Sequence, residues 1–186
     1  MTEKEKMLAG LLYDANYNPA LMEERHAAKD LCLTYNALHY AQEDEKQKIL
    51  HRLLGTCPQN ILIEPPFFCD YGYNIHLGEN FYANHNLVIL DGAPVTCGDF
   101  VFIAPNCCFS TAGHPLDVAR RNAGLEFAKP IHIGNNVWIG AGVQLLPGVS
   151  IGDNSVIGAG SVVNRDIPDG VVAVGAPCRV LRKIDE

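Results

Sequence analysis

Between residues 131 and 166 the chain reads IHIGNN, VWIGAG, VQLLPG, VSIGDN, SVIGAG and SVVNRD, six consecutive hexads. Ile133, Ile139, Leu145, Ile151, Ile157 and Val163 share one phase, and the next position holds Gly134, Gly140, Leu146, Gly152, Gly158 and Asn164. An amphipathic helix needs apolar residues every three or four positions, and a flat sheet every second one. One inward aliphatic every six residues describes instead short strands joined by turns, stacked as the coils of a parallel β-helix solenoid. With three hexads per coil, residues 61 to 180, less a segment around His114, supply roughly five coils.

Upstream the phase persists but is ragged. Leu77-Gly78, Ala83-Asn84 and Ile89 keep it; after a two-residue slip at Asp91-Gly92-Ala93-Pro94, which reads as a turn insertion, Cys97-Gly98, Ile103-Ala104 and Phe109 resume it. Residues 2 to 54 have a helical period. Thr2 and Glu5 fit a capping box leading into Met7, Leu8, Leu11 and Leu12, and Tyr13-Asp14 to Pro19 breaks that helix. A second helix from Pro19 carries Leu21, Ala28, Leu31, Cys32, Tyr35 and Leu38 on one stripe. A third starts near Glu43 and stops at Gly55, a candidate left-handed C-cap. These helices hold too little apolar surface to stand alone, so they are expected to pack on the solenoid. The expected division is a helical segment over 1–57 and a β-helix over 58–186, with an excursion over 111–130 and a C-terminal tail.

Composition narrows the partners. A formal net charge of −7 disfavours nucleic acid, which needs clustered Lys and Arg. No stretch approaches a membrane span, and MLAGLL near the start is too short for the apolar core of a signal peptide. Cys32, Cys57, Cys69, Cys97, Cys107, Cys108 and Cys178 form no CxxC pair and no zinc-ribbon spacing. They read as reduced, mostly buried thiols, and point to a cytoplasmic location.

The segment STAGHPLDVARRNAGLEFAKP, residues 110 to 130, interrupts the repeat around His114. Loops of this length inside compact domains are uncommon and are functional or disordered. An imidazole titrates near 6.5 and can take the proton of a hydroxyl about to attack a thioester. Gly113 and Pro115 would restrict the backbone on both sides. The competing reading is a solvated surface histidine. His26, His39 and His51 fall on the helices, His76 and His132 should point out of the solenoid, and His85 lies in YANHN.

The motifs CDYGYNIHLGENFYAN, GHPLDVARRNAG, KPIHIGNNVWIGAG and VGAPCRV closely resemble those of the maltose and galactoside O-acetyltransferases. The resemblance covers nearly the whole chain. It implies a left-handed hexapeptide-repeat β-helix, a homotrimer with each active site between two subunits, and acetyl-CoA as donor with no metal. It also implies His114 as catalytic base, with Asn84 beside it, facing the acceptor and thioester. Asp14, Asp70 and Glu126 would surround the acceptor sugar, where carboxylates accept hydrogen bonds from hydroxyls. Glu126 ranks behind the other two because it lies in the least regular part of the excursion. Asp91 is a weaker candidate for the same role, since it fits a turn equally well. Hexapeptide β-helices that hold zinc between subunits use a His-x4-His pair, and none occurs here.

Coenzyme A needs a slot for its pantetheine arm and positive charge for its phosphates. Gly140-Ala141 and Gly158-Ala159 allow close approach to the backbone, and tight coil packing would use them equally well. Trp138 could wall the slot or sit in a subunit interface. Arg165, Arg179 and Arg182 fit phosphate geometry, although a solvated basic end would look the same. The resemblance places coenzyme A contacts at Ala141, Ala159, Arg165, Arg179 and Arg182. One departure is Asn164-Arg165, where a hydroxyl residue and Lys are common. The charge is kept and the hydroxyl is lost. The acceptor expected from CDYG and LDVARRNAG is a glucosyl or maltosyl 6-hydroxyl. Galactoside, serine and antibiotic acceptors, and a non-catalytic scaffold, are the alternatives.

Overall fold

The computed structural model describes residues 1–184. Its short strands stack into three parallel sheets, the faces of one solenoid. Face one comprises Ile75–His76, Val95–Cys97, Ile131–Ile133 and Ser150–Ile151. Face two comprises Leu62–Ile63, Tyr82–Ala83, Phe102–Ile103, Trp138–Ile139, Val156–Ile157 and Val171–Val174. Face three comprises Phe67–Cys69, Leu87–Leu90, Cys108–Ser110, Gln144–Leu145 and Val162–Val163. Five coils are complete, and a partial sixth begins where Ile167 bridges to Ile151. The predicted inward phase is the buried one. Leu77, Ala83, Ile89, Cys97, Ile103, Phe109, Ile133, Ile139, Leu145, Ile151, Ile157 and Val163 belong to one continuous core. Many corners turn through a left-handed residue, and asparagine supplies it at Asn80, Asn86, Asn106, Asn136 and Asn154.

The raggedness upstream has one cause. From Leu145 to the next inward residue, Val149, is four positions; Cys69 to Ile75 and Ile89 to Val95 take six, and Phe109 to Ile131 takes twenty-two. The phase slip at Asp91–Pro94 is therefore preceded by an equal one at Asp70–Asn74, which the sequence reading missed. Both insertions and the long excursion leave the solenoid at the same corner, between faces three and one.

Of three helices, α2 (Pro19–Asn36) and α3 (Glu43–Leu53) cover the first coil, and α1 (Glu3–Leu8) packs on Tyr13–Asp14 and Leu125–Ala128. The capping box at Thr2 and Glu5 forms, and Asn18 caps α2 ahead of Pro19. The first coil has no preceding coil to satisfy its backbone, and helix side chains do so instead. Asn36 Nδ2 donates to Phe67 O at 3.0 Å while Asn36 Oδ1 accepts from Phe67 N at 2.8 Å. Gln47 Nε2 donates to Ile61 O at 2.9 Å, and the Tyr35 hydroxyl donates to Ile63 O. Gly55 is not the left-handed cap expected of it. The helix ends at Leu53 with an extended Leu54, and Gly55 is needed because a Cβ there would lie 2.2 Å from Tyr73 O. At the far end Arg179–Lys183 folds back antiparallel on Val171–Val174 and covers the open edge. All seven cysteines are free thiols.

Candidate active site

The three insertions stack on one another and build a wall. Asp91 anchors it, wholly buried, with Oδ1 accepting from Asp70 N at 3.0 Å and Tyr71 N at 2.8 Å. Its backbone carbonyl accepts from Asn74 Nδ2 at 2.7 Å, while Oδ2 has no partner. Burial pushes the Asp91 carboxyl up to about 6, partly offset by the backbone N–H donors. Asp91 thus joins two successive insertions and does not face the cleft, a place that matches its turn reading. Asp70 is half-buried, and its Oδ1 lies 3.7 Å from Lys29 Nζ on α2. Burial raises its carboxyl, and Lys29 and Arg25 oppose the shift.

The excursion is more regular than its sequence suggests. Leu125–Ala128 forms the central strand of a small antiparallel sheet, with Tyr13–Asp14 on one side and Ala112–Gly113 on the other. A short helix α4, Val118–Asn122, capped by Asp117, links Gly113 to that strand. Glu126 was ranked low for lying in irregular chain, and the structure corrects this: it pairs in register with Tyr13. His114 follows directly on the outer strand, and its Nε2 lies 3.9 Å from Glu126 Oε1. The Tyr13 hydroxyl approaches Glu126 Oε2 at 3.4 Å. Asp14 uses its carboxylate in a tight turn, accepting from Asn16 N at 3.2 Å and Tyr17 N at 2.9 Å.

Between the wall and this small sheet lies a polar cleft of about 230 Å³ whose lining includes Tyr13, Asn16, Arg25, Lys29, Asp70, Tyr71 and Glu126, but not His114, Asp14 or Asp91. Tyr13, Asn16, Arg25, Lys29 and Tyr71 were not foreseen as site residues. Arg25 and Lys29 sit four apart on α2, and only the docking of α2 on the first coil turns them toward Asp70. Arg25 donates to the Tyr71 hydroxyl at 3.1 Å and to Ala15 O, tying the Asp14 turn to the wall. Larger hollows of about 310 and 550 Å³ border α2 and α3 and contain none of the expected site residues.

A second group stands at a different corner, between faces two and three. Asn84 N donates to Ile103 O, Ala104 N to Ile139 O, Gly140 N to Ile157 O and Gly158 N to Ala173 O, at 2.8 to 2.9 Å. This ladder places Asn84, Gly140 and Gly158 in one column. Asn84 Oδ1 accepts from His85 N at 2.7 Å. The space left by the missing Gly140 side chain is filled by the next coil, since a Cβ would meet Ala159 N at 2.6 Å. Ala159 is exposed and Ala141 half-buried beside it, so the column presents small residues to solvent. Trp138 stands 56% exposed on face two, in register with Phe102. Arg165 and Arg182 are exposed, and Arg179 Nη1 donates to Asn164 Oδ1 at 3.2 Å, so the unusual Asn164 orients an arginine. Within one chain the His114 group and the Asn84 group stay apart.

Comparison with known proteins places this stacked hexapeptide solenoid among the bacterial hexapeptide transferases. Residues 6–58 match the maltose acetyltransferase hexapeptide capping motif, and residues 130–165 match the bacterial transferase hexapeptide of six repeats. The galactoside O-acetyltransferase of Escherichia coli K12 is 46% identical over 186 residues, spanning 100% of this chain and 91% of that protein. The crystal structure of a maltose O-acetyltransferase from Clostridium difficile 630 superposes with a TM-score of 0.97 at 50% identity, covering 100% and 99% of the two chains. A hexapeptide-repeat acetyltransferase of Vibrio cholerae O1 biovar eltor, complexed with acetyl coenzyme A, gives 0.91 at 40% identity, covering 100% of both. The chain belongs to the maltose and galactoside O-acetyltransferase family and is an acetyltransferase of the hexapeptide-repeat class.

Proposed function

We propose that the protein is an acetyl-CoA-dependent sugar O-acetyltransferase that acts as a cytoplasmic homotrimer on a glucosyl or maltosyl 6-hydroxyl. The observation that carries the reading is His114, one residue past a paired strand and 3.9 Å from Glu126, which lines a polar cleft together with Asp70. His114 removes the proton from the acceptor hydroxyl, whose oxygen attacks the thioester carbonyl. A backbone N–H near Ala141 holds the tetrahedral oxyanion, the C–S bond breaks, and the imidazolium returns its proton to the leaving thiolate. No covalent enzyme intermediate is needed, because positioning of two bound substrates and one proton transfer suffice. Trp138, Gly140, Ala141 and Ala159 form the pantetheine slot, and Arg165, Arg179 and Arg182 take the phosphates. Asp14, Asp70 and Glu126 surround the acceptor, and Asp91 supports them from behind. In the trimer, one subunit's His114 meets its neighbour's Asn84, joining the two corners that one chain keeps apart.

The test is thiol release from acetyl-CoA with maltose, glucose, a galactoside and L-serine as acceptors. Release with maltose or glucose well above the other two supports the reading. Preference for the galactoside or serine refutes the acceptor, and no release with any of the four refutes the sugar acetyltransferase itself.

A further inference from the structure

Of the seven free cysteines, Cys32 and Cys69 have sulfurs in contact, 3.7 Å apart, and no other two cysteine sulfurs share such a contact among the described residues. Cys32 lies on α2 and Cys69 ends the face-three strand Phe67–Cys69, so the contact spans the join between helix and first coil. Asn36, one helical turn beyond Cys32, fixes that join independently through its two hydrogen bonds to Phe67. The pair also stands directly behind the cleft. Lys29 is three residues before Cys32, Asp70 follows Cys69, and these two line the cleft 3.7 Å from each other.

Both thiols are buried, Cys32 wholly and Cys69 at 2% exposure, so a bulky reagent has no access to them. Small reagents have a route. The cleft reaches Lys29, Asp70 and Tyr71, and the hollow of about 310 Å³ reaches Ala28, Leu31 and Tyr71, within a helical turn of Cys32 and two residues of Cys69. The two sulfurs are unequal. The hydrogen bond from Cys69 draws the Cys32 thiol below its ordinary range despite burial, with help from Lys29. That same bond, together with burial, pushes the Cys69 thiol up. Cys32 is thus the nucleophile, and Cys69 the thiol that resolves what it forms.

We propose that Cys32 and Cys69 form a peroxide-sensitive redox pair, whose closure to a disulfide staples α2 to the first coil and resets the cleft between them. The oxidant is hydrogen peroxide. The Cys32 thiolate attacks one peroxide oxygen, the O–O bond breaks and hydroxide leaves, giving a sulfenic acid. Cys69, losing its proton, attacks that sulfur; the S–O bond breaks and a second hydroxide leaves. The two thiol protons convert both hydroxides to water, so two electrons pass from the pair of sulfurs to the peroxide. Closing the bond brings the sulfurs from 3.7 Å to about 2 Å. Movement on that scale falls on Lys29 and Asp70, and an ångström's displacement of substrate-positioning groups costs on the order of a hundredfold in rate. The bond itself stands apart from the enzymatic activity, whereas its effect on turnover rests on the acetyl-transfer reading above.

The experiment treats the full-length protein with a small excess of hydrogen peroxide, removes the peroxide, and follows three readouts. Thiols titrated in denaturant should fall by two from the original seven, and a peptide map should join the Cys32 and Cys69 peptides. The denaturant midpoint should rise, because the cross-link restricts the unfolded chain. Acceptor kcat/KM, read from thioester consumption, should fall by about tenfold or more and recover with dithiothreitol. Cys32→Ala and Cys69→Ala variants should keep the activity of the reduced protein and lose its sensitivity to peroxide. Retention of all seven thiols, a different linkage, or variants as sensitive as the unaltered chain would overturn the proposal. So would a Cys32–Cys69 bond that leaves either the midpoint or the kcat/KM of an active enzyme unchanged. If the reduced protein consumes no thioester with any acceptor, the sugar acetyltransferase reading fails, and the peptide map and the midpoint still decide the pair.

Discussion

Asp91 shows how a single side chain couples the site to pH. Its carboxyl, raised from 3.8 to about 6 by burial, holds the Asp70 and Tyr71 amides in place. A folded-state value above the unfolded one means that the native protein binds the proton more tightly. The stabilisation is therefore fully present below pH 3.8 and is lost as pH rises through about 6, a change of about 3 kcal/mol. Asp70, also raised by burial, adds a contribution of the same sign. Denaturant unfolding between pH 4 and 7 should show stability falling with pH, and Asp91→Asn should flatten most of that slope. An unchanged slope in the variant would place the titration elsewhere. At the other corner, Arg179→Ala should raise the KM for acetyl-CoA by about tenfold, the cost of a lost charge-assisted hydrogen bond. An unchanged KM would show that the Asn164–Arg179 contact merely decorates the tail.

Elements are held by backbone proximity as much as by side chains. Gly55→Ala would drive a methyl into the Tyr73 carbonyl at 2.2 Å, and should destabilise by about 3 kcal/mol or more. Gly142, at φ +71 with open space around its Cβ position, should cost only about 1 kcal/mol on the same change. Equal costs in denaturant titrations would refute the assignment of Gly55 to close packing. The hexads made the solenoid legible because every sixth residue meets the same core environment, coil after coil. The missed insertion at Asp70–Asn74 was hidden because the expected phase was counted only from Leu77 onward. Glu126 was undervalued for a related reason. Its strand has four residues and no hexad, and it exists because Tyr13, 113 residues away in sequence, pairs with it.

For the whole molecule, the repeats position two corners and the excursion departs from one of them. The sequence identified His114 because the repeat stops around it, and the arginines because they cluster. It was silent on Arg25 and Lys29, which enter the cleft only through the packing of α2 on the first coil. Leu116, 94% exposed two residues beyond His114, is an apolar surface that a neighbouring subunit would cover in the proposed trimer. In the proposed trimer, His114 of one subunit works with Asn84 of the next. His114→Ala and Asn84→Ala chains, each inactive alone, should regain activity when unfolded together at equal amounts and refolded as mixed trimers. Random assembly joins an intact His114 to an intact Asn84 at about one quarter of the interfaces, so about one quarter of the unaltered rate of thiol release is expected. A refolded mixture as inactive as its two parents would contradict the shared site and confine the chemistry to a single chain.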